Sequence, residues 1–204
     1  MNSSIYNNSE PEEQIDKDDK ENEQSDFFDK KLFKSRAVTL FGEINDKLAR
    51  QVTERLLALA SESDEPINIY ISSPGGHVES GDVVYDMIKF IKPKVRVIGT
   101  GWVASAATTI YLSANRENRF ALPNTRFLIH QPLGGSRGDA TDIKIQAEQI
   151  IKTRARINKL IADETGQPLE RVARDTNRDY WMSVEEAMEY GIVNRLIKSA
   201  TELV

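Results

Sequence analysis

The sequence uses no cysteine and only two histidines, His77 and His130. The absence of cysteine excludes a disulfide framework, a zinc site with thiolate ligands and catalysis by a cysteine nucleophile. Any chemistry that needs an imidazole must therefore use one of two residues.

Features typical of membrane and nucleic-acid-binding proteins are also missing. The best candidate for a membrane span, residues 101–114, contains several hydroxyl residues and is shorter than the roughly 18–20 apolar residues that a span needs. No apolar signal-peptide stretch stands at the amino terminus. The 27 basic and 32 acidic side chains give a net charge of −5, which argues against binding to nucleic acid phosphates. We expect a cytoplasmic protein that binds neither membranes nor nucleic acid.

The negative charge is concentrated at the amino terminus. Residues 1–30 hold ten acidic side chains and three lysines, a net charge of −7, whereas the remainder sums to about +2. Few apolar side chains occur there to offset the roughly 1–2 kcal/mol per residue that ordering a backbone costs. We predict an acidic disordered tail over residues 1–26 and one domain over residues 27–204. With no periodic pattern in the tail, a solvating role is favoured over a docking role.

After residue 27, short β-branched runs alternate with amphipathic helical patterns. Strands are predicted at residues 37–41, 67–72, 95–99, 126–130 and 192–197. Helices are predicted at residues 46–61, before Pro93, from about Ser105, and at residues 139–164, with a last helix capped by Ser183 and Glu186 and ended by Gly191. This alternation predicts an α/β domain with repeated β-α units.

The helix predicted at residues 139–164 carries apolar residues on more than one side. Two interpretations stay open: a core helix with a solvated face, or a contact between subunits.

Two small-residue segments could support catalysis. Residues 72–76, Ser-Ser-Pro-Gly-Gly, follow a predicted strand, and glycines there could turn backbone N–H groups toward a developing oxyanion. Taken alone, the segment favours a plain strand-to-helix turn, because such turns use glycine routinely. Ser105 lies among small residues where a strand gives way to a helix, a position suited to a nucleophile or to an ordinary helix cap.

A general base would have to be a histidine. His130 ends a predicted strand beside a glycine-rich loop, and His77 follows Gly76; each could also be structural. Asp175 and Asp179 are candidate carboxylates to orient an imidazole, and the flanking arginines offer a surface ion-pair cluster as the alternative.

These motifs in their order resemble the ClpP family, the proteolytic subunits of ATP-dependent Clp proteases. The resemblance covers about residues 28–197. It includes Ser-Pro-Gly-Gly at residues 73–76, Ala-Ser at 104–105, Leu-Pro-Asn at 122–124, Ile-His-Gln-Pro-Leu-Gly-Gly at 129–135, residues 138–142, Thr-Gly-Gln at 165–167, and Arg-Asp-Thr through Asp at 174–179.

The resemblance assigns roles to individual positions. It implies that Ser105 is the nucleophile, His130 the general base and Asp179, rather than Asp175, the carboxylate that orients it. The backbone N–H groups of Gly76 and Ala106 match the family's oxyanion hole. The substrate-binding residues that it implies lie in two segments: His77 and Val78, and Pro132, Leu133 and Gly134.

The resemblance also implies a fold, an assembly and partners. The fold would be the ClpP/crotonase-like α/β fold, with residues 139–164 as a protruding handle helix through which two seven-membered rings stack. Access to the enclosed chamber would be controlled by an AAA+ unfoldase of the Clp family that uses ATP and supplies unfolded polypeptide. Neither a metal nor an organic cofactor is expected in this chain.

Two departures keep alternatives open. Ala106 and Ala107 stand where the family usually has methionine and glycine, and the acidic tail replaces the family's amino-terminal gating segment. These differences suggest a divergent paralogue, a regulatory subunit active only in a mixed assembly. A further alternative is acyl-CoA chemistry, since crotonase enzymes have a similar fold.

Overall fold

The computed structural model describes residues 27–203. The tail predicted over residues 1–26 lies outside them. Residues 27–34 form a helix, α1, within an amino-terminal unit that ends at Arg36, and Ala37–Val204 form a separate compact unit. The domain boundary predicted at residue 27 thus precedes the start of this compact unit by ten residues. No helix among the described residues is long and apolar enough to cross a membrane.

Seven strands form one largely parallel sheet in the second unit. Their order is β1-β2-β3-β4-β7, and β5 pairs in parallel with β3 and antiparallel with β6. The strands are β1 (Ala37–Phe41), β2 (Ile67–Ser73), β3 (Val95–Ala104), β4 (Arg119–Ala121), β5 (Arg126–Ile129), β6 (Tyr180–Met182) and β7 (Arg195–Leu196).

Six helices accompany the sheet. They are α2 (Asp46–Glu62), α3 (Val78–Phe90), α4 (Ala106–Tyr111), α5 (Ala140–Thr165), α6 (Leu169–Asp175) and α7 (Val184–Tyr190). Short 3₁₀ turns occur at Arg116–Asn118 and Ala200–Glu202. The predicted α/β alternation is confirmed.

Local sequence accounts for the helix ends. The Asn45 side chain accepts a hydrogen bond from the backbone N–H of Leu48 and so caps α2, whose buried stripe includes Val52, Leu56 and Leu59. The predicted capping box of Ser183 and Glu186 is present at α7, and Gly191 ends that helix with a φ of 91°. The apolar stripes bury against the sheet and form one core.

The strand β3 continues five residues past its predicted end at Gly99. Its first half pairs with β2 and β4, and residues 102–104 pair with β5. Gly101 has a φ of 63°, and the register with β2 shifts between Ile71 and Ser73. Glycine permits this change of direction, so the two glycines mark a bend within the strand rather than its end.

The two halves of α5 have different surroundings. Residues 140–149 are all exposed, including Ile143 and Ile145, whereas Ile157 and Ile161 are buried in the core. The carboxyl half therefore serves as a core helix. The amino half leaves Ile143 and Ile145 about half exposed.

A cluster of charged and hydroxyl groups, here called the buried arginine cluster, closes the carboxyl end of α4. It consists of Arg119, Glu164, Tyr85 and Lys89. The Arg119 side chain is 1% exposed; it donates to the carbonyls of Ala114, Leu112 and Glu164 at 2.7–2.8 Å and to the Glu164 carboxylate. That carboxylate also accepts from Tyr85 Oη at 3.1 Å and Lys89 Nζ at 2.8 Å.

Candidate active site

Three parallel strands end at one edge of the sheet, and a candidate residue follows each end. The glycines 75 and 76 follow β2, Ser105 follows β3, and His130 follows β5. Ala104, the last residue of β3, pairs with Leu128 of β5. This register brings Ser105 and His130 together from positions 25 residues apart.

The antiparallel strand β6 brings the carboxylate to the same edge. Ile129 pairs with Tyr180, so the residues just beyond this pair, His130 and Asp179, face each other. Beside them, the Gln131 N–H donates to the Thr176 carbonyl at 2.6 Å. Backbone contacts before and after Asp179 in the sequence, at Thr176 and at Tyr180, therefore position its carboxylate.

The three side chains form a continuous hydrogen-bond chain. His130 Nε2 lies 2.7 Å from Ser105 Oγ, and His130 Nδ1 lies 2.9 Å from Asp179 Oδ1. When the proton is on Nδ1, the Nδ1–H group donates a hydrogen bond to the Asp179 carboxylate. Nε2 then has a lone pair with which it can accept the serine proton. The His130 side chain is 14% exposed and the Asp179 side chain is 65% exposed. Solvent therefore contacts the hydrogen-bonded triplet mainly at Asp179.

Ser105 has an unusual backbone conformation. Its φ of 58° and ψ of −125° are rarely adopted by a residue with a side chain, and such strain costs about 1–3 kcal/mol. Its N–H donates to the Leu128 carbonyl at 3.0 Å, and its side chain does not cap α4. The strained turn holds Ser105 Oγ toward His130 rather than toward the helix, which disfavours the cap interpretation.

The glycine turn packs directly against Ser105. A Cβ on Gly75 would lie 2.5 Å from Ser105 Cβ and 2.7 Å from the Ala104 carbonyl oxygen, and a Cβ on Gly76 would collide with the Ile44 carbonyl. Ile44 also pairs with both neighbours, donating to the Gly75 carbonyl and accepting from the His77 N–H. Only glycine fits at either position. Gly75 belongs to the motif at residues 73–76, but nothing in the sequence indicated its contact with the serine.

Backbone N–H groups are available at this edge. Among the described residues, neither the Gly76 N–H nor the Ala106 N–H donates a hydrogen bond to the protein. Ala106 is the first residue of α4, where helical N–H groups have no intrahelical acceptor. Both predicted oxyanion residues thus carry donors free for a ligand.

The two predicted substrate-binding segments line one groove. Its walls include His77 and Val78 on one side and Pro132, Leu133 and Gly134 on the other, with residues of α5 closing it, and its volume is about 260 Å³. Leu133 is 82% exposed. The groove runs beside the Gly76 N–H and is open to an extended chain.

The other candidate residues of the sequence analysis have different partners. His77 Nδ1 lies 2.8 Å from Ser80 Oγ and its Nε2 lies 3.1 Å from Glu79. Asp175 accepts from Tyr190 Oη at 3.2 Å and pairs with arginines of α6. Neither belongs to the hydrogen-bond chain of Ser105.

Two buried polar residues support the aspartate: Thr176, which the motif at residues 174–179 contains, and Asn158, which no motif indicated. Thr176 Oγ1 donates to Asn158 Oδ1 at 2.8 Å, and both side chains are 5% exposed or less. This bond ties α5 to the segment that carries Asp179. No sequence pattern indicated this bond, because the partners are 18 residues apart and lie on different helices, Asn158 within α5 and Thr176 at the end of α6. Within residues 27–203, no group of three or more His, Asp or Glu side chains could hold a metal ion.

Comparisons with known proteins identify the family. A family model described as Clp protease matches residues 19–200. The chain is 60% identical over 172 residues to the ATP-dependent Clp protease proteolytic subunit 3 of Rhizobium etli, covering 84% of this chain and 89% of that protein. It is 61% identical over 175 residues to proteolytic subunit 2 of Gluconobacter oxydans, covering 85% and 78%.

Solved structures give the same result. ClpP1 from Listeria monocytogenes shares 54% identity and superposes with a TM-score of 0.80, covering 87% of this chain and 99% of that one. The predicted ClpP-like α/β fold is confirmed.

Proposed function

The chain belongs to the Clp protease family, and from that premise we propose that Ser105, His130 and Asp179 are its catalytic triad. Members of this family are proteolytic subunits of serine-peptidase type, so the activity is hydrolysis of peptide bonds. The observation that supports the assignment is the hydrogen-bond chain from Ser105 Oγ through both imidazole nitrogens to Asp179. Ser80 also contacts a histidine, His77, which lies beside Glu79, but the Ser80 hydroxyl donates to the Asp46 carboxylate and the residue is only 2% exposed.

The proposed reaction begins with acylation. Ser105 Oγ attacks the carbonyl carbon of the scissile bond while His130 Nε2 takes the hydroxyl proton. Asp179 keeps the proton on Nδ1 and stabilises the imidazolium that forms. His130 then gives its proton to the amide nitrogen, the carbon–nitrogen bond breaks, and the new amine leaves an acyl ester on Ser105.

Hydrolysis of the ester repeats these steps with water. His130 takes a proton from the water, whose oxygen attacks the ester carbonyl, and then returns a proton to Ser105 Oγ as the acid product leaves. The unpaired N–H groups of Gly76 and Ala106 would bind the oxyanion in both halves of the reaction. Ala106 keeps a backbone N–H despite its difference from the usual family residue, so the substitution preserves this donor.

The substrate would be an unfolded polypeptide lying extended in the groove between residues 77–78 and 132–134. Main-chain hydrogen bonds to such a strand tolerate many sequences. Family membership implies a ring-shaped oligomer. We propose two stacked seven-membered rings, joined through the exposed apolar half of α5, working in the cytoplasm with an AAA+ unfoldase of the Clp family that consumes ATP.

A second candidate is a subunit that becomes competent only in a mixed ring with a paralogue. The numbered names of its relatives, proteolytic subunits 2 and 3, favour this possibility. Because these relatives are proteolytic subunits, they favour peptide-bond hydrolysis over acyl-CoA chemistry.

Covalent labelling tests both candidates. A fluorophosphonate should label Ser105 alone, read by intact mass and peptide mapping, and Ser105→Ala should abolish labelling. Labelling that requires an added paralogue would support the mixed assembly. Labelling elsewhere, or none with any partner, would remove Ser105 from its proposed role.

A further inference from the structure

A second, smaller cavity opens beside Ser105. Its volume is about 20 Å³, and its walls include Ala106, Ile129, Pro132, Ile157 and Ile161. A cavity of this size holds roughly one water molecule. Ser105 and His130 both line it, so it adjoins the position of the attacked carbonyl in the proposed reaction.

One wall of this mostly apolar cavity carries a charge. Asp82 of α3 contributes to the lining, and its side chain is 27% exposed. Arg156 of α5 reaches across to it, with Nη1 to Oδ1 at 3.0 Å and Nη2 to Oδ2 at 2.5 Å. This two-bond geometry fixes both side chains and neutralises the carboxylate.

The cavity floor is built from small residues. A Cβ on Gly81 would lie 3.3 Å from Ala106 Cβ, so α3 and α4 already approach closely beneath the cavity. The cavity cannot widen there without moving these helices. The space available to a substrate side chain is therefore set by the rest of the lining, which includes Asp82 of the ion pair that links α3 and α5.

We propose that the Asp82–Arg156 pair determines the specificity of the cleavage site. It limits the side chain that enters this cavity to an uncharged one of restricted length. The proposal rests on the function proposed above and adds to it the class of residue after which the chain is cut. Arg156 acts here through Asp82 and touches none of the reacting atoms.

Removing Arg156 should change this preference in a defined way. The Asp82 carboxylate would then face a partly apolar cavity without its cation, and a lysine or arginine side chain of the substrate could replace the missing guanidinium. A charged group placed in such a pocket discriminates strongly, because the mismatched substrate leaves it unpaired.

The test uses the assembled protein, together with a paralogue if one is required for labelling. Fluorogenic peptides differ only at the residue before the cleaved bond, which is alanine, leucine, lysine or glutamate. In the wild type, lysine should be the poorer substrate relative to leucine. Arg156→Ala should raise the lysine-to-leucine rate ratio by about tenfold or more.

Two further variants separate charge from size. Arg156→Ala with Asp82→Asn should lose the gain for lysine, because no carboxylate remains. Asp82→Asn alone keeps the side-chain shape and should not favour lysine either. Lys159→Ala, which breaks an exposed ion pair with Asp163 on the same helix, is the matched control and should leave all ratios unchanged.

The outcomes distinguish this inference from the proposed function. If Ser105-dependent cleavage occurs and Arg156→Ala leaves the lysine-to-leucine ratio unchanged, the specificity proposal is overturned while the triad stands. A gain for lysine that persists in the double variant would also overturn it. If no peptide is cleaved and no phosphonate bearing these side chains labels Ser105 in any assembly, both proposals fail together.

Discussion

The two ends of α4 differ in how completely their polar groups are hydrogen-bonded within the protein. At its amino end, Ser105 has strained backbone angles, the N–H groups of Ala106 and Gly76 have no protein acceptor, and Asp179 is largely exposed. At its carboxyl end, the buried arginine cluster satisfies the guanidinium of Arg119 with three carbonyls and a carboxylate. A helix of six residues, about 9 Å long, separates them.

This difference indicates a division of labour. Groups left unpaired at the amino end are available to a ligand and contribute little to the folded state. At the carboxyl end, the guanidinium of Arg119 is buried and paired within the protein, so it is not available to a ligand. Substitutions at one end should therefore change the rate of catalysis, and substitutions at the other end should change the free energy of unfolding.

The largest effect is expected at the amino end. Ser105→Ala should lower the peptidase rate by about 10³-fold or more, because the nucleophile is lost while the oxyanion donors stay. The melting temperature and the assembly state should be close to those of the wild type. Comparing the rate and the melting curve of one preparation checks both; a large loss of stability would contradict the division of labour.

The next effect is expected at the carboxyl end. Glu164→Ala leaves the buried guanidinium of Arg119 without its carboxylate and should destabilise the fold by about 3–5 kcal/mol. Denaturant unfolding at fixed protein concentration measures it. The rate per folded, labelled Ser105 should be unchanged.

The neighbouring residue provides the control for this loss. Asp163 forms an exposed ion pair with Lys159, and Asp163→Ala should cost about 0–1 kcal/mol. Equal losses in the two variants would show that burial of Arg119 does not set the energy of the cluster.

The two ends also differ in how far the sequence predicted them. The strands β1, β2 and β5 and the capping box of α7 follow from local patterns, and the ordered motifs around Ser105, His130 and Asp179 carried the family resemblance. Arg119 lies in a three-residue strand that was not predicted, and its partner Glu164 is 45 residues away. Nothing local to an arginine indicates that it is buried.

Short or irregular elements account for the remaining differences. The strand predicted at residues 192–197 is reduced to Arg195–Leu196, because Ile192 and Val193 donate back to the Ala187 carbonyl at the end of α7. The elements α1, α6, β4 and β6 were not predicted, and each has eight residues or fewer. The two strands depend on pairing with distant strands of the sheet. The Asp82–Arg156 pair joins helices that only the fold brings together.

A smaller effect tests the strain at the amino end. Glycine adopts a φ of 58° more easily than alanine does, so Ser105→Gly should be more stable than Ser105→Ala by about 1 kcal/mol. Thermal unfolding of the two inactive variants measures the difference. If Ser105→Ala were the more stable variant, the turn would store no strain that glycine can relieve.

The smallest effect concerns the carboxyl end at alkaline pH. Burial, and next the charge of Glu164, raise the pKa of Tyr85 far above its ordinary value of about 10. Folded protein keeps this proton above pH 10, whereas unfolded protein releases it. The stabilisation is therefore fully present below about pH 10 and decreases as the pH rises further.

Tyr85→Phe removes the ionisable group. The unfolding free energy of this variant should therefore fall less steeply above about pH 10 than that of the wild type, while the two profiles stay parallel between about pH 7 and pH 9. Denaturant titrations across this range measure both slopes, and identical slopes above pH 10 would place Tyr85 outside the closed network that distinguishes this end of α4 from the catalytic one.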